Sequence, residues 1–256
     1  MTLHSTCLPS GRRITIYLPP GYEDEPRHPY PLLVLHDGQN LFEGDRAFVE
    51  GEHWRVGETA DELIEAGRIP PMVIAGIDHA RSDRIFEFTP SRGARGDGGG
   101  SAEYARLVVD EALPFLRREY AVTHEADDTG LGGSSLGGLV TLAIAASYPG
   151  VFGRLLVMSP SVWWDNRRVL RVLSAGASAS ARAGASAGAP RVWVDIGLKE
   201  GESPIRDARR LRRVLTRLEP RLELRYVEEA LGDHSEQSWA RRLPDALAWL
   251  YGSNAT

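Results

Sequence analysis

Apolar positions along this chain fall into two rhythms that take turns from end to end. Arg13-Ile14-Thr15-Ile16-Tyr17-Leu18 alternates with the period of two of a half-buried strand and stops at Pro19-Pro20-Gly21. Leu32-Leu33-Val34-Leu35 and Met72-Val73-Ile74-Ala75-Gly76-Ile77 are unbroken apolar runs, the mark of strands covered on both faces. Between them Val56, Ala60, Leu63 and Ile64 share one helical face. A longer helix over roughly Ala102 to Tyr120 turns Tyr104, Leu107, Val108, Leu113 and Leu116 inward. Leu155-Leu156-Val157-Met158, Arg191-Val192-Trp193-Val194-Asp195-Ile196 and Leu222-Glu223-Leu224-Arg225-Tyr226-Val227 read as further strands. One helix is announced by Ser203 as cap and Pro204 at its first position, and another covers Trp239 to Tyr251. Such alternation predicts an α/β fold: an open, mostly parallel sheet with helices on both faces. No insertion is long enough for a separate cap, so residues 1–256 read as one domain. Arg92 to Ser101, and residues 174–190, almost wholly Ser, Ala and Gly, read as flexible loops.

Composition narrows the function without naming it. With 256 residues and 42% hydrophobic content the chain can bury a full core. A formal net charge of -5 argues against nucleic acid as a partner, since such modules carry a basic footprint. The arginines of 206–217 alternate with Ile205, Ala208, Leu211, Leu215 and Leu218, the pattern of a helix with a solvated outer face. Cys7 is the sole cysteine, which excludes an intrachain disulfide and a cysteine-built metal site. Met1 to Ser10 lacks a basic segment followed by an apolar run, and no stretch reaches the ~18 apolar residues that span a bilayer. The expected location is the cytoplasm, with no membrane partner.

The chemistry is carried by Gly132-Gly133-Ser134-Ser135-Leu136-Gly137-Gly138, which holds a G-x-S-x-G pattern centred on Ser135. A serine on a sharp strand-to-helix turn presents its hydroxyl as a nucleophile, and flanking glycines keep that turn clear. Leu139, Leu142, Ala143 and Ala146 supply the helix behind it. The segment before it, Asp127-Asp128-Thr129-Gly130-Leu131, is poorly apolar for a central strand.

A serine hydroxyl needs a base, and the base needs an orienting group. In open α/β sheets ligand chemistry collects beyond the carboxyl ends of the strands. His234, in the loop after the final strand, satisfies that placement and falls last in the order Ser, acid, His. His36 and His79 each adjoin an aspartate, but adjacent residues rarely aim at one ion and the helical H-E-x-x-H spacing is absent, so no metal is expected. His4, His28, His53 and His124 read as surface residues. Glu200 is the choice for the acid, in Gly197-Leu198-Lys199-Glu200-Gly201-Glu202, with Glu202, Asp195 and Asp165 as alternatives. Two backbone N–H groups should face the developing oxyanion: that of Leu136, directly after the nucleophile, and that of Gln39, in the loop after an earlier strand.

With these residues in place the chain resembles the esterase D and enterochelin-esterase-like branch of the α/β-hydrolases. That branch includes feruloyl and acetylxylan esterases, S-formylglutathione hydrolase and the mycolyltransferases. The resemblance runs from Ile14 to Trp249. It rests on Tyr17-Leu18-Pro19-Pro20-Gly21-Tyr22, Leu35-His36-Asp37-Gly38-Gln39-Asn40-Leu41-Phe42, Arg84-Ile85-Phe86-Glu87-Phe88-Thr89-Pro90, Gly132 to Gly138 and Gly232-Asp233-His234. It implies an α/β-hydrolase fold and a cofactor-independent carboxylic-ester hydrolase working on a small-molecule ester through an acyl-enzyme. Ser135 and His234 are the implied working pair, with the acid at or near Glu200. By the same resemblance Arg84 is directed into the cleft, where Asp37 also belongs to the substrate-binding set; the alternative for Arg84 is an ion pair with Glu87. Trp163 and Trp164 either stack on an aromatic acyl group or belong to the core. Transfer of the acyl group to an alcohol, and a non-catalytic hydrolase-like binding protein, are the competing functions.

Overall fold

In the computed structural model, which describes residues 1–23, 29–183, 190–218 and 222–252, the strand-like segments join one eight-stranded sheet. Its strands are β1 (Thr2–Leu3), β2 (Arg12–Tyr17), β3 (Leu32–His36), β4 (Val73–Ile77), β5 (Thr129–Ser134), β6 (Arg154–Met158), β7 (Arg191–Gly197) and β8 (Glu223–Glu229). They lie in the order β1-β2-β4-β3-β5-β6-β7-β8. The pairings β1–β2 and β2–β4 are antiparallel and those from β4 to β8 are parallel. This is the mostly parallel sheet that the sequence predicts.

Side-chain alternation sorts the core into two layers. Leu32 and Val34 of β3 face one side, where they join Leu131, Val157 and Val194. Over that side lie α2 (Arg84–Phe88), α3 (Ser101–Arg106), a π-helical stretch (Leu107–Ala112), α4 (Leu113–Glu119), α5 (Leu136–Ser147), α6 (Trp164–Ala183) and α7 (Glu202–Leu218). Leu33 and Leu35 face the other side, beneath α1 (Val56–Glu65) and α8 (Glu236–Tyr251). Both layers are aliphatic and aromatic packing, the main source of stability in a chain of this size.

Three segments differ from expectation. β5 sits at the centre of the sheet and is buried throughout, despite its low apolar content. Its glycines are the reason: a Cβ on Gly132 would stand 2.6 Å from the Cβ of Leu156, and one on Gly130 would strike the Tyr251 hydroxyl. Residues 174–183, expected as loop, continue α6, and alanine is the strongest helix former; residues 184–189 of that expected loop lie outside the described residues, as does His28. The stretch 92–101 is a folded turn. Arg92 bridges to Gly98, the Gly93 N–H donates to the Asp97 carbonyl at 2.8 Å, and Gly98 lies against the indole of Trp164. Among the described residues no helix is long and apolar enough to cross a membrane.

Candidate active site

Ser135 occupies the sharp bend between β5 and α5, with φ 56° and ψ −119°. A non-glycine residue there is strained and persists only where its surroundings hold it. Here the Ser135 N–H donates to the Met158 carbonyl at 2.9 Å, and the Ser135 carbonyl accepts from the N–H groups of Ser161 at 3.0 Å and Leu139 at 3.1 Å. A Cβ on Gly133 would come within 3.2 Å of the Gly137 backbone, so the turn closes tightly only with both glycines in place. The hydroxyl is left pointing out of the bend, 3.3 Å from that of Ser161.

The loops after β7 and β8 bring two side chains to that hydroxyl. His234 Nε2 lies 2.9 Å from Ser135 Oγ, and His234 Nδ1 lies 2.7 Å from Glu200 Oε2. Glu200 Oε1 accepts from the Gly197 N–H at 2.8 Å and from the Ser159 hydroxyl at 2.5 Å. Burial pushes the Glu200 carboxyl upward, but its hydrogen bonds to His234, Ser159 and Gly197 outweigh that and hold it below the ordinary glutamate range. The other carboxylates considered for this place are engaged elsewhere or exposed. Asp195 Oδ1 accepts from the Ser159 N–H and faces Arg242, its Oδ2 accepts from Trp193 Nε1, and Glu202 stands exposed at the start of α7. Asp165 lies in the first turn of α6, where the backbone is left-handed from Asp165 to Arg167.

The loop after β3 closes the opposite wall. Asp37, at φ 57°, precedes a single 3-10 turn over Gly38–Asn40 that carries the Gln39 N–H, while the Leu136 N–H opens α5. Both are first-turn amides, which have no acceptor within their own helices. Asp37 takes Arg84 in a two-pronged pair, Nε to Oδ1 and Nη2 to Oδ2, each 2.7 Å. Burial alone would raise the Asp37 carboxyl; the Arg84 charge and hydrogen bonds bring it below its ordinary value. The alternative partner for Arg84 is thereby corrected: Glu87 is buried against Arg12.

Around Ser135 and His234 lies a cleft of about 290 Å³ walled by Asn40, Phe48, Val49, His79, Arg84 and Glu236 among others. Neither tryptophan expected to bind substrate lines it. Trp164 is buried, its Nε1 donating to the Ser91 carbonyl at 2.8 Å, and so serves the folded turn at 92–101. Trp163 is exposed on the loop after β6. Glu236 is the unexpected wall residue. Its Oε1 accepts from Asn40 Nδ2 at 2.9 Å and its Oε2 from Trp54 Nε1. Burial, aided by the Asp37 charge and opposed by Trp54, lifts its carboxyl to about 7. Among the described residues no three His, Cys, Asp or Glu side chains are grouped to hold a metal ion.

Residues 5–250 match the sequence profile of the Esterase family, described as "Putative esterase". The chain belongs to the Esterase family. This esterase is therefore a carboxylic ester hydrolase. It is 26% identical to uncharacterized protein YbbA of Bacillus subtilis over 95% of its own length and 94% of that protein's. It is 30% identical to the iron(III) salmochelin esterase of Escherichia coli, over 63% of this chain and 35% of the longer relative. In three dimensions the esterase superposes on the BES protein of Bacillus cereus with a TM-score of 0.80, at 20% identity, covering 99% of this chain and 94% of that one. Against the enterobactin esterase FES of Shigella flexneri, determined in the presence of enterobactin, the score is 0.74 at 24% identity, covering 98% and 58% of the two chains. These likenesses place the fold among the α/β-hydrolases.

Sequence reasoning missed Ser159, Trp239 and Arg242, which stand behind Glu200, and Glu236 on the cleft wall. Ser159 directly follows the strand beside the nucleophile's own, a position where polar side chains gather at the carboxyl edge. Glu236, Trp239 and Arg242 repeat at helical spacing directly after His234. That spacing was legible; the direction of the face was not.

Proposed function

We propose that this protein hydrolyses a small-molecule carboxylic ester through an acyl-enzyme carried on Ser135. The observation that carries the reading is the unbroken line from Ser135 Oγ to His234 Nε2 at 2.9 Å and from His234 Nδ1 to Glu200 Oε2 at 2.7 Å. His234 takes the hydroxyl proton as Ser135 attacks the ester carbonyl, then returns it to the departing alcohol. Glu200 holds the imidazole in orientation and offsets the charge it gains. The N–H groups of Leu136 and Gln39 receive the oxyanion, a contribution of roughly 3–4 kcal/mol for each well-aimed donor. Water, activated by the same histidine, then releases the acid.

The cleft suits one aromatic or short acyl group, with the rest of the substrate lying across the rim. Among the described residues the large apolar side chains left exposed, Met1 aside, follow the carboxyl ends of strands: Phe48 and Val49 after β3, Ile85 and Phe86 after β4, Trp163 after β6, Leu198 after β7 and Leu231 after β8. Of these, Phe48 and Val49 line the cleft itself and offer apolar contact to the acyl group. Several relatives are named for siderophores, including the salmochelin esterase and the enterobactin esterase of Dickeya dadantii, so catecholate siderophore esters head the substrates to test. Arg84, anchored on Asp37 at the cleft wall, supplies a cation for an acidic substrate group.

A fluorophosphonate probe tests the nucleophile. One equivalent should bind the wild-type protein and none the Ser135→Ala variant, which should also lose ester hydrolysis by a factor on the order of 10⁴ or more. Labelling that survives Ser135→Ala places the nucleophile elsewhere.

A further inference from the structure

Behind the candidate triad lies a buried cluster with no part in the proton transfers between Ser135 and His234. We propose that Ser159 is a positioning residue, and that its hydroxyl, locked by Trp239 and Arg242, fixes how Glu200 and through it His234 are hydrogen-bonded. The proposal rests on the Ser135, His234 and Glu200 reading and adds a fourth member to it.

Donor and acceptor bookkeeping decides the direction of each bond. A serine hydroxyl has one proton to give and two lone pairs to fill, whereas an indole N–H and a guanidinium can only donate. Trp239 Nε1 lies 3.0 Å from Ser159 Oγ and Arg242 Nη2 lies 2.9 Å from it, so both lone pairs are taken. One direction remains for the Ser159 proton, and Glu200 Oε1 stands there at 2.5 Å. That oxygen also accepts from the Gly197 N–H, so it is filled by two donors and has no place for a proton of its own. Glu200 is thereby kept ionised, and its free oxygen, Oε2, accepts a hydrogen bond from the N–H at His234 Nδ1. With Nδ1 protonated, the neutral imidazole has its lone pair on Nε2, which faces Ser135 Oγ. The tautomer that a general base requires follows from donors three hydrogen bonds back.

The backbone supports the same assignment. Ser159 has φ 41°, a left-handed value that a non-glycine residue adopts at a cost. It is held there because its N–H is bound by the Asp195 carbonyl at 3.1 Å and Asp195 Oδ1 at 3.2 Å. Asp195 in turn meets Arg242 Nη2 at 3.1 Å, and Arg242 Nη1 is anchored on Glu229 at 2.7 Å. Trp239 also touches the base directly, since its indole meets the His234 ring edge-on with centroids 5.0 Å apart. Side chains from the loop after β7 and the first turns of α8 meet at this one hydroxyl beyond β6, and Glu229 of β8 anchors one of them.

The test compares Ser159→Gly with Ser159→Ala. Glycine relaxes the left-handed backbone and alanine does not, but both remove the hydroxyl. If the hydroxyl orients Glu200, both variants lose kcat by about 10- to 100-fold with KM within about twofold, the range for orienting partners of catalytic groups. The acidic limb of the kcat/KM profile should also move to higher pH, because Glu200 loses a donor that keeps it ionised. In a Glu200→Ala background the same replacements should cost less than about threefold, since no carboxylate remains to hold. Trp239→Phe, which keeps the ring against His234 and removes a single donor, should lower kcat several-fold with the fold intact by circular dichroism. The proposal is overturned if Ser159→Gly keeps wild-type kcat and pH profile, or if its cost is undiminished beside Glu200→Ala. Failure of the underlying triad reading shows separately, as wild-type turnover in Glu200→Ala or in Ser135→Ala.

Discussion

At the scale of single residues, the pair of Asp37 and Arg84 shows how little freedom the cleft wall has. Asp37 is nearly buried, and two 2.7 Å hydrogen bonds from one guanidinium satisfy both of its oxygens. Removing one partner leaves a buried charge without compensation, which costs roughly 3–5 kcal/mol, whereas removing both charges together is far milder. Arg84→Ala should therefore lower thermal stability sharply, and Asp37→Asn combined with Arg84→Gln should recover most of the loss, as read by denaturant unfolding. Equal destabilisation in the single and double variants would show that the pair does not carry the burial cost. Legibility at this scale followed whether a residue's own neighbours in the chain announce its role. Ser135 was readable because its setting is local, two glycines and a strand-to-helix change within a few residues. The bond from Arg242 to Ser159 spans 83 positions, and no local pattern announces it.

Elements were legible where periodicity decided them and illegible where packing did. Apolar runs marked β3, β4, β6 and β7 because both of their faces are covered. β5 defeated the same rule: the chain there is selected for smallness, so that β6 and the α8 tyrosine can approach. The Ser-, Ala- and Gly-rich stretch before residue 184 misled in the opposite sense, since alanine that looks like linker by composition is helical by propensity. Close packing at β5 gives a prediction. Gly132→Ala places a Cβ 2.6 Å from Leu156 Cβ and 2.8 Å from the Leu156 carbonyl oxygen, with backbone on one side that cannot step aside. Overpacking of this kind costs about 1–3 kcal/mol. It should appear as a fall in melting temperature on the order of 2–4 °C per kcal/mol for a chain of this length. A melting temperature unchanged to within about 1 °C would mean that β5 and β6 are spaced more loosely than their register implies.

Over the whole molecule, buried titratable groups pull stability in opposite directions as pH changes. His36 is wholly buried, and burial lowers it from 6.5 to about 4, against the raising effect of the Asp37 charge. A group whose folded value is depressed contributes stability that is present above its unfolded value and lost as pH falls, so His36 weakens the fold between about pH 6.5 and 4. Glu236 and Asp195 act the other way. Burial raises Glu236 from 4.5 to about 7 and Asp195 from 3.8 to about 6, the latter against the opposing charge of Arg242. Their contributions are complete below those unfolded values and decline as pH rises through the folded ones. The Glu236 share, faced by Trp54, Asn40, Asp37 and Arg84, corresponds to about 3 kcal/mol at most, lost by slightly above pH 7. Over about pH 4.5 to 6 the declining shares of Glu236 and Asp195 outweigh the rising share of His36, so these groups together should lower the melting temperature from about pH 4.5 to 7. Glu236→Gln replaces the titrating group by a neutral one of the same shape, so its profile should lose most of that decline, because the opposing shares of His36 and Asp195 nearly cancel below about pH 6. The expected change relative to the wild type across that window is on the order of 5–10 °C. Parallel profiles for the two proteins would mean that Glu236 stays ionised throughout, with its hydrogen bonds to Asn40 and Trp54 outweighing its burial.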